Sequence, residues 1–378
     1  MSPEVPPSEP DRVDGAPHPR DTLHLFGQAA AEQAFLAAYA SGRLHHGWLI
    51  SGPRGVGKAT LAWRIARFLL TAPDTGGDDG LFGTPPPPVS LDVPDDDPVV
   101  RRMAAGSEPR LFVLRRPWDE KAGRLKQDIT VDEVRRLKSF FTLSAADGGR
   151  RIAIVDAADE MNTAAANALL KLLEEPPAGA VLLLVAHQPS ALLPTIRSRC
   201  RDLRLRPLAP EDLDAALVQA GAAPEPGLHA LSAGSVGAAL RLALAEGPQT
   251  YARLVELLAG RGRADRPAAL ALADSVAGKG AEARLDLVVT LLDLFLARAA
   301  RTGATGPLPE AAPGEAAALT RLSPGPDAAR GWADLHQDLG ARIRHGRAVN
   351  LDPASLVLDM VLRIDDAAGR LATRGQAG

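Results

Sequence analysis

Leu49-Ile50-Ser51-Gly52-Pro53-Arg54-Gly55-Val56-Gly57-Lys58-Ala59-Thr60 decides how the rest of this chain is read. Gly52, Gly55 and Gly57 let backbone N–H groups curl around a polyphosphate, and Lys58 places a cation at its terminal phosphates. Gly47-Trp48-Leu49-Ile50 before the loop reads as a short buried strand. After it, Leu61, Ile65, Phe68 and Leu69 recur at helical spacing over Thr60 to Leu70. Strand, glycine loop and helix together form the setting in which such a match signifies a phosphate-binding loop. One part of the pattern is missing. A hydroxyl after the lysine holds magnesium, and here that residue is Ala59. Thr60 comes one place late, turned by roughly 100° around the helix.

Outward from the loop, strands and helices alternate. The spacing predicts a helix over Ala29 to Ala40, a strand at Leu111 to Leu114, and a helix from Val131 to Phe140 opened by Thr130 with Glu133 three residues on. A strand at Arg151 to Asp156 ends in a carboxylate. A helix through Ala164 to Glu175 follows, capped by Asn162 or Thr163 and stopped by Pro176-Pro177. Ala180 to Val185 and Leu203 to Leu205 read as further strands. Such alternation predicts an α/β domain with a mostly parallel sheet covered on both faces. From Pro210 onward the chain reads as all-α.

The composition bounds what else the chain can be. A length of 378 residues suggests two or three domains. A net charge of -3 supplies no overall basic field for gripping nucleic acid. The longest apolar run, Ala178 to Ala186, falls far short of the ~20 residues of a membrane helix. Met1-Ser2-Pro3-Glu4 lacks the basic start of an export signal, so a cytoplasmic location is expected. Cys200 is the single cysteine, which excludes an internal disulfide and a multi-cysteine zinc site. Residues 1–22, rich in Pro, Asp and Glu, are expected to be disordered. Residues 71–109, with Pro85 to Pro88 and Asp95 to Asp97, are expected to form an irregular insertion.

Asp156 stands where nucleotide-binding sheets place the acid that orients magnesium. Its neighbour Ala157 replaces the glutamate that polarises water in hydrolysing enzymes. Asp159 and Glu160 read as a solvated helix start, and Arg197, Arg201, Arg204 and Arg206 as outward-facing charges.

The glycine loop, the strand ending at Asp156, Asn167-Ala168-Leu169-Leu170-Lys171-Leu172-Leu173-Glu174-Glu175-Pro176, and Thr195-Ile196-Arg197-Ser198-Arg199-Cys200 together resemble bacterial clamp-loader subunits of the AAA+ class. The resemblance covers residues 25–206 most firmly and is greatest to the delta-prime subunits of DNA polymerase III. It implies an AAA+ domain over 23–206, a helical lid over 207–246 and a helical collar over 247–378.

It also implies partners: gamma/tau and delta subunits, and, through the complex, the sliding clamp and primer-template DNA. Arg199 would act in trans on a neighbour's ATP. Four departures, Ala59, Ala157, Ala186 with His187, and Gly237 in the lid motif Ala233 to Leu240, speak against hydrolysis by this chain, so polymerase activity would belong to the holoenzyme. Lys58 keeps two readings, a phosphate ligand or a lysine satisfied by nearby carbonyls, which leaves ATP binding open. Relatives of this class carry a four-cysteine zinc module where this chain has its insertion, so zinc is not expected. An ATP-hydrolysing gamma/tau-like motor and a purely structural scaffold are the alternatives.

Overall fold

The computed structural model describes residues 9, 12–13, 15–72, 87–142, 149–260 and 264–374. The chain divides into two compact units, Met1–Gly221 with Gly234–Ala238, and Ala222–Ala233 with Ala239–Gly378.

The first unit runs α1 (Ala29–Ala40), β1 (Gly47–Ser51), α2 (Lys58–Thr71), α3 (Pro98–Ala104), β2 (Leu111–Leu114), β3 (Trp118–Asp119), β4 (Arg124–Leu125), α4 (Val131–Thr142), β5 (Arg151–Asp156), α5 (Thr163–Glu174), β6 (Ala180–Ala186), α6 (Pro194–Arg197), β7 (Arg201–Arg204) and α7 (Pro210–Gln219). Five strands pair in the order β2-β5-β6-β1-β7, every neighbour parallel. All residues of β1, β5 and β6 are buried, as strands covered by helices on both faces must be. The register aligns the carboxyl ends: Ser51 lies opposite both Ala186 and Arg204, and Asp156 opposite Val185. In such sheets a ligand crevice lies outside those carboxyl ends. The expected α/β sheet is therefore the one observed.

Local chemistry fixes the helix starts. The Asn162 side chain accepts from the Ala165 N–H at 2.9 Å. The Glu133 carboxylate reaches back to the Thr130 N–H at 3.0 Å, the reciprocal half of a capping box.

Two expectations are corrected. Of the segment 1–22, residues 1–8, 10–11 and 14 lie outside the described residues, while 15–22 are packed, with Ala16 and His18 buried. The cause lies on α2, where Arg64 and Arg67 are buried and their guanidiniums need acceptors. Arg67 takes the Arg20 carbonyl at 2.8 Å, and Arg64 takes that of Leu23. The insertion is also ordered over 87–109, with Leu91, Val99, Val100 and Met103 buried. There Asp97 accepts from the Val99 N–H at 2.7 Å and Pro98 occupies the first turn of α3, so the Asp-Pro pair starts a helix. Residues 73–86, with Pro85 and Pro86, lie outside the described residues. The β3–β4 hairpin was not anticipated.

The second unit is helical among the described residues: α8 (Pro226–Ser232), most of α9 (Val236–Leu244), α10 (Gly247–Leu258), α11 (Arg266–Asp274), α12 (Glu282–Thr305), α13 (Glu315–Leu322), α14 (Pro326–Ala348) and α15 (Pro353–Arg374). α12 packs along α14, with Phe295 edge-on to Trp332 at 6.4 Å. Two acids on α12 are engaged: Asp286 pairs with Arg347 at 2.6 Å and Asp293 with His336 at 2.5 Å. At the core, Arg298 grips Glu315 through two nitrogens at 2.5 and 2.8 Å. The same carboxylate accepts from the Tyr251 hydroxyl and the Ala311 N–H, both at 2.6 Å. Among the described residues no helix is long and apolar enough to cross a membrane.

Candidate functional site

The glycine loop leaves the carboxyl end of β1 and enters α2 at Lys58. Gly52, Gly55 and Gly57 all have positive φ, which glycine adopts at little cost. Space makes the same demand: a Cβ on Gly55 would lie 2.3 Å from Ser235 Oγ, and one on Gly57 2.5 Å from Leu25. Segment 234–238 thus sits directly on the loop. Ser235 donates to the Arg54 carbonyl at 2.9 Å, and the Gly237 N–H donates to the Gly55 carbonyl at 3.1 Å.

Lys58 is buried, and its ammonium donates to the Gly52 carbonyl at 2.8 Å and the Pro53 carbonyl at 2.5 Å. Burial pulls its pKa down to about 8, against the attraction of Asp156 and Asp159. Asp156 is buried at the end of β5. His187, just past β6, falls to about 4, first through burial and then through the charges of Lys58 and Arg54. The structure therefore gathers Lys58, Asp156 and His187 in one electrostatic neighbourhood. Ala59 and Thr60 follow in the first turn of α2, with a methyl where the pattern asks for a hydroxyl.

Asp159 and Glu160 are not a solvated helix start. Asp159 accepts from the N–H groups of His187 at 3.0 Å and Gln188 at 2.9 Å. Glu160 meets Arg54 at 3.3 Å and Arg116 at 2.7 Å, and burial raises its pKa against the pull of those two arginines. Buried Gln28 donates to the carbonyls of Val56 and Arg206 and accepts from the Arg206 N–H. Residues following all five strands, Arg54, Arg116, Asp159 with Glu160, His187 and Arg206, are thus tied by side chains of this chain. Sequence reasoning missed Arg54, Arg116, Gln28 and Ser235. The available signal was Gln28, an amide just before an alanine-rich helix.

These contacts fit a magnesium nucleotide poorly. The lysine is turned onto its own loop, no hydroxyl follows it, and Ala157 stands beside Asp156.

Arg199 lies elsewhere. A Cβ on Gly47, at the amino end of β1, would be 3.2 Å from the Arg199 carbonyl. At ~3.3 Å per residue, β1 separates that end from Ser51, where the glycine loop begins, by roughly 13 Å. The Arg199 guanidinium is partly exposed and meets Glu174 at 2.9 Å, with a further bond to the Thr195 carbonyl at 3.0 Å. Arg197, Arg201, Arg204 and Arg206 are exposed as expected, Arg201 lying over the Trp48 ring.

The family described as DNA polymerase III, delta subunit matches residues 27–209. The subunit delta' of Pseudomonas aeruginosa is 41% identical over 157 residues, 41% of this chain and 41% of that protein. The subunit delta' of Escherichia coli is 33% identical over 232 residues, 60% of this chain and 63% of that protein. Over residues 27–209 this chain is similar to the delta-prime subunits of DNA polymerase III. The family match over residues 27–209 encloses the glycine loop, Asp156 and Arg199. The gamma/tau subunit of Mycobacterium tuberculosis H37Rv is more distant, 30% identical over 201 residues, 53% of this chain and 31% of that protein. The chain spans about two fifths to three fifths of the length of the delta-prime relatives it matches.

Proposed function

We propose that the chain serves as a delta-prime subunit of a DNA polymerase III clamp loader, where, with gamma/tau and delta subunits, it helps place a sliding clamp on primer-template DNA. Its own nucleotide site is silent, and Arg199 serves the ATP of a neighbouring subunit. An AAA+ sheet domain, a lid over 207–246 and a collar over 247–378 are the organisation that goes with this role.

The observation that carries the reading is polarity. The Arg199 backbone and Lys58 stand at opposite ends of β1, which supports a role for Arg199 outside its own crevice. A planar guanidinium stabilises charge on a transferring phosphoryl group. Glu174 holds the side chain at the surface meanwhile. The closed loop and the missing hydroxyl at position 59 disfavour the motor-subunit alternative.

The test is DNA-stimulated ATPase of a reconstituted loader in which only the site facing this subunit can hydrolyse. Arg199→Ala should lower the rate by ~10³-fold, and Arg199→Lys should not restore it. An unchanged rate with Arg199→Ala would end the trans-acting reading. Titration of the isolated chain with ATP decides the loop: saturable binding lost in Lys58→Ala would revive the phosphate-ligand reading.

A further inference from the structure

Away from the glycine loop, a cavity of about 230 Å³ opens beside β2, walled by Arg20, Trp63, Met103, Leu111, Val113 and Arg115. It is smaller than the ~300–1,000 Å³ of a typical small-molecule site and larger than the ~150 Å³ that accepts a benzene ring. Its size suits one aromatic or large aliphatic side chain. β2 is an edge strand of the sheet.

Two residues of the cavity wall, Arg20 and Arg115, already hold a carboxylate. Glu9 accepts from Arg20 at 2.7 and 2.8 Å and from Arg115 at 3.0 Å, and His18 Nε2 lies 3.5 Å away. Glu108, the one acid among the described residues of the cavity wall, is occupied by Arg102 at 2.8 Å and Arg110 at 3.0 Å. At the arginine end, Arg20 also lies 4.0 Å from the Asp21 carboxylate.

We propose that this cavity is a docking site for an acidic peptide segment of a partner protein, with Glu9 filling its charged end in cis until the partner arrives. The carboxylate now held belongs to a polypeptide, in Pro7-Ser8-Glu9-Pro10. Two arginines converging on one carboxylate give charge-assisted bonds of the stronger kind. The matching segment carries a carboxylate close to one apolar side chain, the acid replacing Glu9 and the apolar group entering between Trp63 and Met103.

The experiment uses the full chain and a fluorescent peptide copying residues 4–13, Glu4 to Val13, as the probe. Glu9→Gln weakens the competitor in cis, so the peptide should bind that variant at least ~10-fold more tightly than the unaltered chain. In the Glu9→Gln background, adding Arg115→Gln should weaken binding ~10-fold or more. Adding Met103→Trp instead fills the apolar end and should also weaken it, with both arginines intact. Thermal unfolding checks each variant, and either second substitution decides alone if the other fails to fold. Equal binding by the unaltered chain and Glu9→Gln would overturn the proposal. So would full binding in the filled-cavity variant, or displacement by inorganic phosphate at the concentration needed of the unlabelled peptide, which marks a plain anion site.

Discussion

Arg54 in the glycine loop and Glu160 beyond β5 face each other at 3.3 Å. The second oxygen of Glu160 meets Arg116 beyond β2 at 2.7 Å. One carboxylate thereby joins residues following three strands at the edge where such sheets hold ligands. Arg54 is largely exposed, and a pair of that kind is worth ~0–1 kcal/mol. Its influence is expected on local opening rather than on global stability.

Glu160→Gln should accelerate amide exchange across residues 52–57 while lowering stability by less than ~1 kcal/mol. Exchange mass spectrometry with peptides spanning the loop reads this. Unaltered exchange would show that segment 234–238 alone holds the loop.

Gly55→Ala meets both a positive φ and the Ser235 hydroxyl. Strain of this kind costs ~1–3 kcal/mol, to be read as a lower denaturation midpoint. Removing the hydroxyl with Ser235→Ala should recover part of the loss. No recovery would mean that backbone conformation, not crowding, limits the position.

His187 sets an acid limb. Its pKa is about 4 in the folded chain against an ordinary 6.5, so between these values the unfolded chain binds more protons. Stability from this group is thus complete above pH 6.5 and lost progressively as pH falls toward 4. His187→Gln should flatten the stability profile in that window. A profile of unchanged slope would place the acid sensitivity elsewhere.

Glu315 is buried with Arg298 in the second unit. Glu315→Ala strands that guanidinium in the core and should cost ~3–5 kcal/mol in urea unfolding. Tyr251→Phe removes a single bond to the same carboxylate and should cost ~1–3 kcal/mol. Comparable losses from both would argue that the hydroxyl, rather than the ion pair, anchors the network.

How much of this was legible in sequence follows from the range of the interactions. β5 and β6 declare themselves because strands buried on both faces need unbroken apolar runs. α5 is bounded by Asn162 and Pro176, signals carried within one turn of its ends. α3 was hidden because Asp97 and Pro98 belong to an acidic, proline-rich run that also suits a linker. Glu160 could not be read at all, since its meaning comes from Arg116 and Arg54, 44 and 106 residues away in the chain. The packing of residues 15–22 was hidden for the same reason, since Arg67, which takes the Arg20 carbonyl, lies 47 residues away in the chain. The missing hydroxyl at Ala59 was plain, while the sequence left Lys58 between a phosphate and nearby carbonyls, of which those of Gly52 and Pro53 hold it.

The amide of Gln28 bonds both ways with the backbone of Arg206, at 2.7 and 3.1 Å. The place where the chain enters the sheet module and the place where it leaves are therefore side by side, though 178 residues apart in sequence. A module whose ends meet can be spliced into a host loop without stretching either. One side chain, that of Gln28, thus ties the start of α1 to the residues that follow β7.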